Sequence, residues 1–131
     1  MSIVLNTIDQ VPGSRTVAGP SLRFQVGRIT ARDIIRARVL DEVERYNSAQ
    51  APSTFAGLVV PAREEKELNA PRRDRRPLDA PAQIEAALAA FKARRVIILF
   101  NGEQVADLDE PLLVTPVSEA RFLKLVPLVG G

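Results

Sequence analysis

The chain has no cysteine, no histidine and no tryptophan, and a single tyrosine, Tyr46, among its 131 residues. Without cysteine it forms no disulfide and carries no thiol nucleophile of its own. Without histidine it lacks the side chain that most often serves as general base or metal ligand near neutral pH. Lysine is scarce too: of eighteen basic residues only Lys66, Lys92 and Lys124 carry a primary amine, and the rest are arginine. No apolar run approaches the roughly eighteen residues that a membrane-spanning helix needs. The segment Met1–Asn6 lacks the basic and long apolar regions of a secretory signal, so a cytoplasmic protein is expected. A net charge of +2 is too small to imply a nucleic-acid partner by itself.

What is present describes an ordinary soluble domain. Hydrophobic residues make up 46% of the chain and charged residues 26%, values typical of a globular protein. The length suits one domain over 1–131 that buries its own core without staples.

The chain opens with a strand signal in Ser2–Ile8, followed by a turn at Val11-Pro12-Gly13-Ser14 and a second break at Gly19-Pro20. Leu22, Phe24 and Val26 alternate with Arg23 and Gln25, which predicts a strand with one buried face and closes a loose hairpin. Thr30 and Asp33 are spaced as a helix N-cap and its reciprocal acid. From there Ile35, Val39, Val43 and Tyr46 form an apolar stripe that Leu40 widens. Arg36, Arg38, Asp41, Glu42, Glu44 and Arg45 are expected on the wet face, and Asn47-Ser48 ends the helix.

Residues 48–78 read as an insertion. Pro52, Pro61, Pro71 and Pro77 interrupt any long element, and 63–76 is highly charged. Its Arg72-Arg73-Asp74-Arg75-Arg76 run has no interleaved aromatic and is offset by Glu64, Glu65 and Glu67, so a solvated loop fits better than a nucleic-acid contact. A second helix follows, with Asp79 at its cap, Pro81 in its first turn, and Ile84, Leu88 and Phe91 on one face. Lys92, Arg94 and Arg95 complement its C-terminal dipole. Val96–Phe100 is continuously apolar, as expected of a strand buried on both faces. Asn101-Gly102 is a hairpin signal, with Gln104–Ala106 as the return. A polar corner at 107–111, a short apolar segment at 112–114 and a turn at 115–118 lead to a final strand, Ala120–Val126.

Hairpin, helix, insertion, second helix, hairpin and final strand describe an α+β fold in which a mixed sheet grips one principal helix. Gly19–Val26 followed by the capped helix at Thr30 resembles the first hairpin and helix of the ubiquitin-like β-grasp proteins. Arg95–Val105 resembles the hairpin of their sulfur-carrier branch, which includes the molybdopterin-synthase small subunit and the thiamine sulfur carrier. Asp107–Pro111, Ser118–Phe122 and Pro127-Leu128-Val129-Gly130-Gly131 resemble that branch's approach to a terminal Gly-Gly. The resemblance leaves out 48–78, and Pro116-Val117-Ser118-Glu119 stands where the family has a Gly-Asp turn.

This resemblance implies a β-grasp (ubiquitin-like) fold with an extra helix and an inserted loop, and a C-terminal carboxylate as the functional group. An activating enzyme would use ATP to convert the Gly131 carboxylate into an acyl-adenylate with release of pyrophosphate, and a thiol would then attack the carbonyl. Glycine suits such a tail because a backbone without Cβ threads a narrow channel. Residues 126–131, fully extended, reach about 20 Å from the body. With no cysteine or histidine the chain would be a substrate and carrier, not an enzyme, binding no cofactor itself. The expected partners are an activating enzyme, a conjugating enzyme with a catalytic cysteine, and a peptidase. Gly130 and Gly131 are the expected reactive residues, and Phe122, Leu125, Pro127, Leu128 and Val129 the expected docking residues. With Gly131 last in the sequence, no processing step is expected. A sulfur carrier ending in a thiocarboxylate, a non-covalent β-grasp interaction module, and a frayed tail with an incidental Gly-Gly remain open alternatives.

Overall fold

The computed structural model describes residues 2–13, 15–48 and 78–125. The proposed insertion (all but Ser48 and Leu78) and the tail 126–131 lie outside these described residues. Eight strands and two helices occur among them. In chain order they are β1 (Ile3–Gln10), β2 (Val17–Ala18), β3 (Leu22–Phe24), β4 (Arg28–Thr30), α1 (Ala31–Asn47), α2 (Ala80–Lys92), β5 (Val96–Phe100), β6 (Glu103–Gln104), β7 (Pro111–Leu113) and β8 (Glu119–Lys124).

A six-stranded mixed sheet runs in the order β2-β1-β8-β5-β6, with β3 also paired to β1. The first and last strands lie side by side and parallel, Asn6 opposite Glu119 and Gln10 opposite Leu123. All other pairings are antiparallel, including β5 with β8 from Val96↔Lys124 to Phe100↔Ala120. The final strand is therefore central, flanked on both sides. β4 and β7 form a separate two-stranded sheet. Neither β4 nor the short β2 is legible in the sequence, because two or three residues give no period to read.

The start of α1 is set by its sequence. The Thr30 hydroxyl accepts from the Asp33 N–H at 3.2 Å, and an Asp33 carboxylate oxygen accepts from the Thr30 N–H at 3.0 Å. Two otherwise orphaned donors are satisfied at once. Ile34, Ile35, Val39, Val43 and Tyr46 are buried, while Leu40 is 44% exposed. The stripe is thus widened at position 34 rather than 40, and through Arg38, which is only 1% exposed. The expectation that Arg38 faces water is overturned; its position four residues after Ile34 puts it on the same side of the helix.

Core residues of both helices pack in one cluster with Leu5, Leu22, Val96, Ile98, Phe100, Ala120 and Phe122. Those strand residues all point to one face of the sheet. The strand β5 is not buried on both faces as its composition suggested: Val96, Ile98 and Phe100 are buried, whereas Ile97 and Leu99 are only partly so. The helices cover one side, and Ile97 and Leu99 look out from the other. Val26, expected inside, is 61% exposed because β3 ends at Phe24.

Three turns among the described residues carry positive φ, the first at Gly13 (φ 82°) after β1. Asn101 (φ 51°) and Gly102 (φ 86°) turn β5 into β6, the backbone that a tight hairpin requires and that Asn-Gly adopts with little strain. At the end of α2, Arg95 N–H donates to Ala90 C=O at 2.9 Å and Arg94 N–H to Phe91 C=O at 3.0 Å. This is a Schellman stop, and its left-handed position, usually glycine, is Arg94 at φ 61°. We expect Arg94→Gly to stabilise the fold by about 1 kcal/mol, because the Cβ penalty in that region is removed. Urea denaturation would measure it as a higher midpoint at an unchanged slope.

Candidate functional site

The end of β8, from which residues 126–131 continue, is held by three kinds of interaction. Its backbone is paired on both edges, to β1 and to β5. Beyond the strand, the Leu125 N–H donates to the Arg95 carbonyl at 2.9 Å. Beneath it lies a group of charged side chains that the alternation of β8 brings against α1.

Arg38 is the centre of that group. Its two terminal nitrogens donate to the two carboxylate oxygens of Asp9, the second bond at 2.6 Å. Its Nε donates to Glu42 Oε1 at 2.9 Å, one helical turn on. The guanidinium carbon sits 4.5 Å from the centre of the Phe122 ring, within cation–π range. Lys124, the last residue of β8, places its amine 3.5 Å from Asp9 Oδ2. One arginine therefore ties α1 to β1 and stacks on β8. Burying a charge is strongly unfavourable unless it is paired and hydrogen-bonded; here the fork of Arg38 meets two carboxylates.

Burial by itself pushes the Asp9 carboxyl up, but the hydrogen bond and charge of Arg38, with a smaller contribution from Lys124, hold it below the usual aspartate range. For Arg38, burial works against the charged form, and the Asp9 hydrogen bond and the charges of Glu42 and Asp9 outweigh it, so its pKa is raised. A carboxyl depressed in the folded state contributes stability that is present above its unfolded pKa, about 3.9 for aspartate. That contribution is lost as pH falls below this value toward the folded pKa. Asp9→Asn should therefore flatten the acid limb of the stability curve below about pH 4, seen by urea denaturation at a series of pH values.

Of the expected docking residues, Phe122 is withdrawn. It is 0% exposed, because residues 120 and 122 point to the helix side of the sheet. Leu125 is partly exposed. Pro127, Leu128, Val129, Gly130 and Gly131 fall outside the described residues. The open face of the sheet supplies apolar surface that sequence reading did not single out. Leu123 stands opposite Ile97 there, and Arg121 opposite Leu99 and beside Ile8. All five are partly exposed. The Arg121 guanidinium donates to Gln10 Oε1 at 3.1 Å and lies 3.8 Å from Glu119. The signal was available: alternation along β8 divides Phe122 from Leu123, but only the pairing partners say which of the two faces the helices.

Among the described residues no helix is long and apolar enough to cross a membrane, and no group of three or more acidic residues could hold a metal ion. No family model, no curated protein and no solved structure matches the chain.

Proposed function

We propose that this chain is a ubiquitin-like β-grasp protein modifier of a bacterial conjugation pathway, activated by adenylation of the Gly131 carboxylate. It is then transferred to the thiol of a conjugating enzyme and finally to an amine of a target, in the cytoplasm. The observation that carries this reading is the parallel pairing of the first and last strands at the centre of a mixed sheet with α1 packed on it. A β-grasp domain is built that way, and in it the last strand leads directly into the tail. Here that strand is followed, within seven residues of Lys124, by Gly130-Gly131.

The chemistry follows from what each group can do. A carboxylate is a poor electrophile, and its attack on the α-phosphorus of ATP, with pyrophosphate leaving, makes an acyl-adenylate. A thiolate of the partner attacks the carbonyl and AMP leaves, giving a thioester. An amine of the target then displaces the thiolate, forming an amide and returning the thiol. The chain supplies only the carbonyl, its Cβ-free approach and a docking surface. In this reading Leu125, Pro127, Leu128 and Val129 meet the activating enzyme close to the tail, and Leu123 and Ile97 extend that contact onto the sheet. No cofactor is bound; ATP belongs to the activating enzyme. A peptidase would reverse the linkage.

Intact-mass analysis of the chain after incubation with ATP and an extract of the cells that make it tests this. The expected products are heavier conjugates joined through the C-terminus. A free chain in which sulfur has replaced one carboxylate oxygen would instead identify a sulfur carrier. An unmodified chain throughout would leave the non-covalent interaction module as the reading.

A further inference from the structure

A cleft of about 380 Å³ opens between the end of α2 and residues 104–109. Its apolar lining includes Phe91, Val96, Val105 and Leu108, and its cations are Arg32, Lys92 and Arg94. Asp107 and Asp109 complete the lining. Both acids are engaged: Arg32 Nε donates to Asp109 at 3.0 Å, and Asp107 accepts from the Asp109 N–H at 2.9 Å. Among the described residues Lys92 and Arg94 make no ion pair within 4 Å, although, after the Arg32 hydrogen bond, the Lys92 charge helps hold the Asp109 carboxyl below the usual aspartate range. Arg94 also occupies a left-handed position that glycine would fill without strain. A residue in a strained backbone conformation that lines a cleft is an observation from which a binding role can be argued.

We propose that this cleft binds a carboxylate carried on an aliphatic body, with Arg94 and Lys92 taking the carboxylate and the apolar lining taking the body. The planar fork of an arginine matches two carboxylate oxygens. Arg32 is offset by Asp109, Asp107 and Glu85, so the cations open to a ligand are Lys92 and Arg94, which suit a carboxylate. The volume lies within the roughly 300–1,000 Å³ of small-ligand pockets. Such a carboxylate comes either from an acidic residue between aliphatic ones in a partner's peptide or from a free short-chain acid. The proposal does not depend on the fate of the tail.

Backbone-amide NMR of the full chain tests it, with hexanoate and the capped peptide acetyl-Leu-Glu-Leu-amide as probes. Hexanamide, acetyl-Leu-Gln-Leu-amide and inorganic phosphate are the controls. The expected result is a saturable shift confined to residues 91–97 and 104–109 for at least one carboxylate probe, about tenfold or more weaker for its neutral amide. Whichever carboxylate binds more tightly identifies the source. Arg94→Gly, which relieves the backbone and so keeps the fold, should weaken binding by about tenfold. Equal response to acid and amide, tighter binding of phosphate, unchanged binding by Arg94→Gly, or no saturable shift with either carboxylate would overturn the proposal.

Discussion

Replacing Arg38 with alanine should destabilise the fold by about 3–5 kcal/mol, the range for breaking a buried ion pair by removing one partner. The size follows from what is left behind. Asp9 would keep only Lys124, whose amine is 3.5 Å away on a side chain 24% exposed, in place of a bidentate bond from a guanidinium that is almost wholly enclosed. Glu42 would lose its Arg38 bond, and the Phe122 ring would lose the cation above it. A cavity on the scale of the arginine stem adds to this. Urea denaturation measures the loss. The triple variant Arg38→Met with Asp9→Asn and Glu42→Gln separates the causes, since it keeps apolar volume and removes every charge. It should recover most of the stability. If Arg38→Ala lost less than about 1 kcal/mol, the typical surface-pair value, the cluster would hold nothing together.

Deleting Gly130 and Gly131, or replacing Gly130 with valine, should abolish conjugation while leaving the fold as stable as before. Gly130→Val retains a carboxylate at Gly131 but adds a β-branched side chain where, under the proposed function, the tail would thread a narrow channel. A misplacement on the order of 1 Å at a reacting group reduces a rate by about 10²-fold, and here the attacking carboxylate itself is displaced. Stability should move by no more than about 0.5 kcal/mol, because among the described residues the core cluster draws on none beyond Phe122. Thermal unfolding and conjugate formation, read on the same preparations, separate lost chemistry from lost fold. If the Gly130→Val protein formed conjugates at the ordinary rate, the tail would not be the reactive element.

The parts of the fold legible in the sequence are those whose residues carry a local reason. Thr30 and Asp33 announce a helix start because their side chains bond backbone donors three residues apart. Asn101-Gly102 announces a hairpin because few other pairs tolerate two positive φ values. Central placement of β8 was legible from the order of elements, a hairpin, a helix, a second hairpin and a final strand, and not from β8 itself, which carries Glu119, Arg121 and Lys124. What was not legible depends on partners distant in the chain. Arg38 looks like a surface residue by type, and only Asp9, 29 positions earlier, and Phe122 turn it into a core residue. Phe122 and Leu123 are equivalent by composition, and their fates divide only once β1, β5 and the helices fix which face is covered. The cleft at Arg94 rests on a backbone conformation that no side-chain pattern signals. Of the candidate reactive site itself, the sequence carries the whole proposal, and the structure adds the central strand that precedes it in the chain.

The most direct measurement uses the position of Lys124. Trypsin cutting after Lys124 leaves Leu125-Val126-Pro127-Leu128-Val129-Gly130-Gly131 attached to any amine that the chain has been joined to. Peptide mass spectrometry of proteins from the cells that make this chain should find that seven-residue branch on target amines, and find none in cells carrying the chain without Gly130 and Gly131. Recovery of the seven residues only as an unbranched C-terminal peptide, with an ordinary carboxylate at Gly131, would contradict the account.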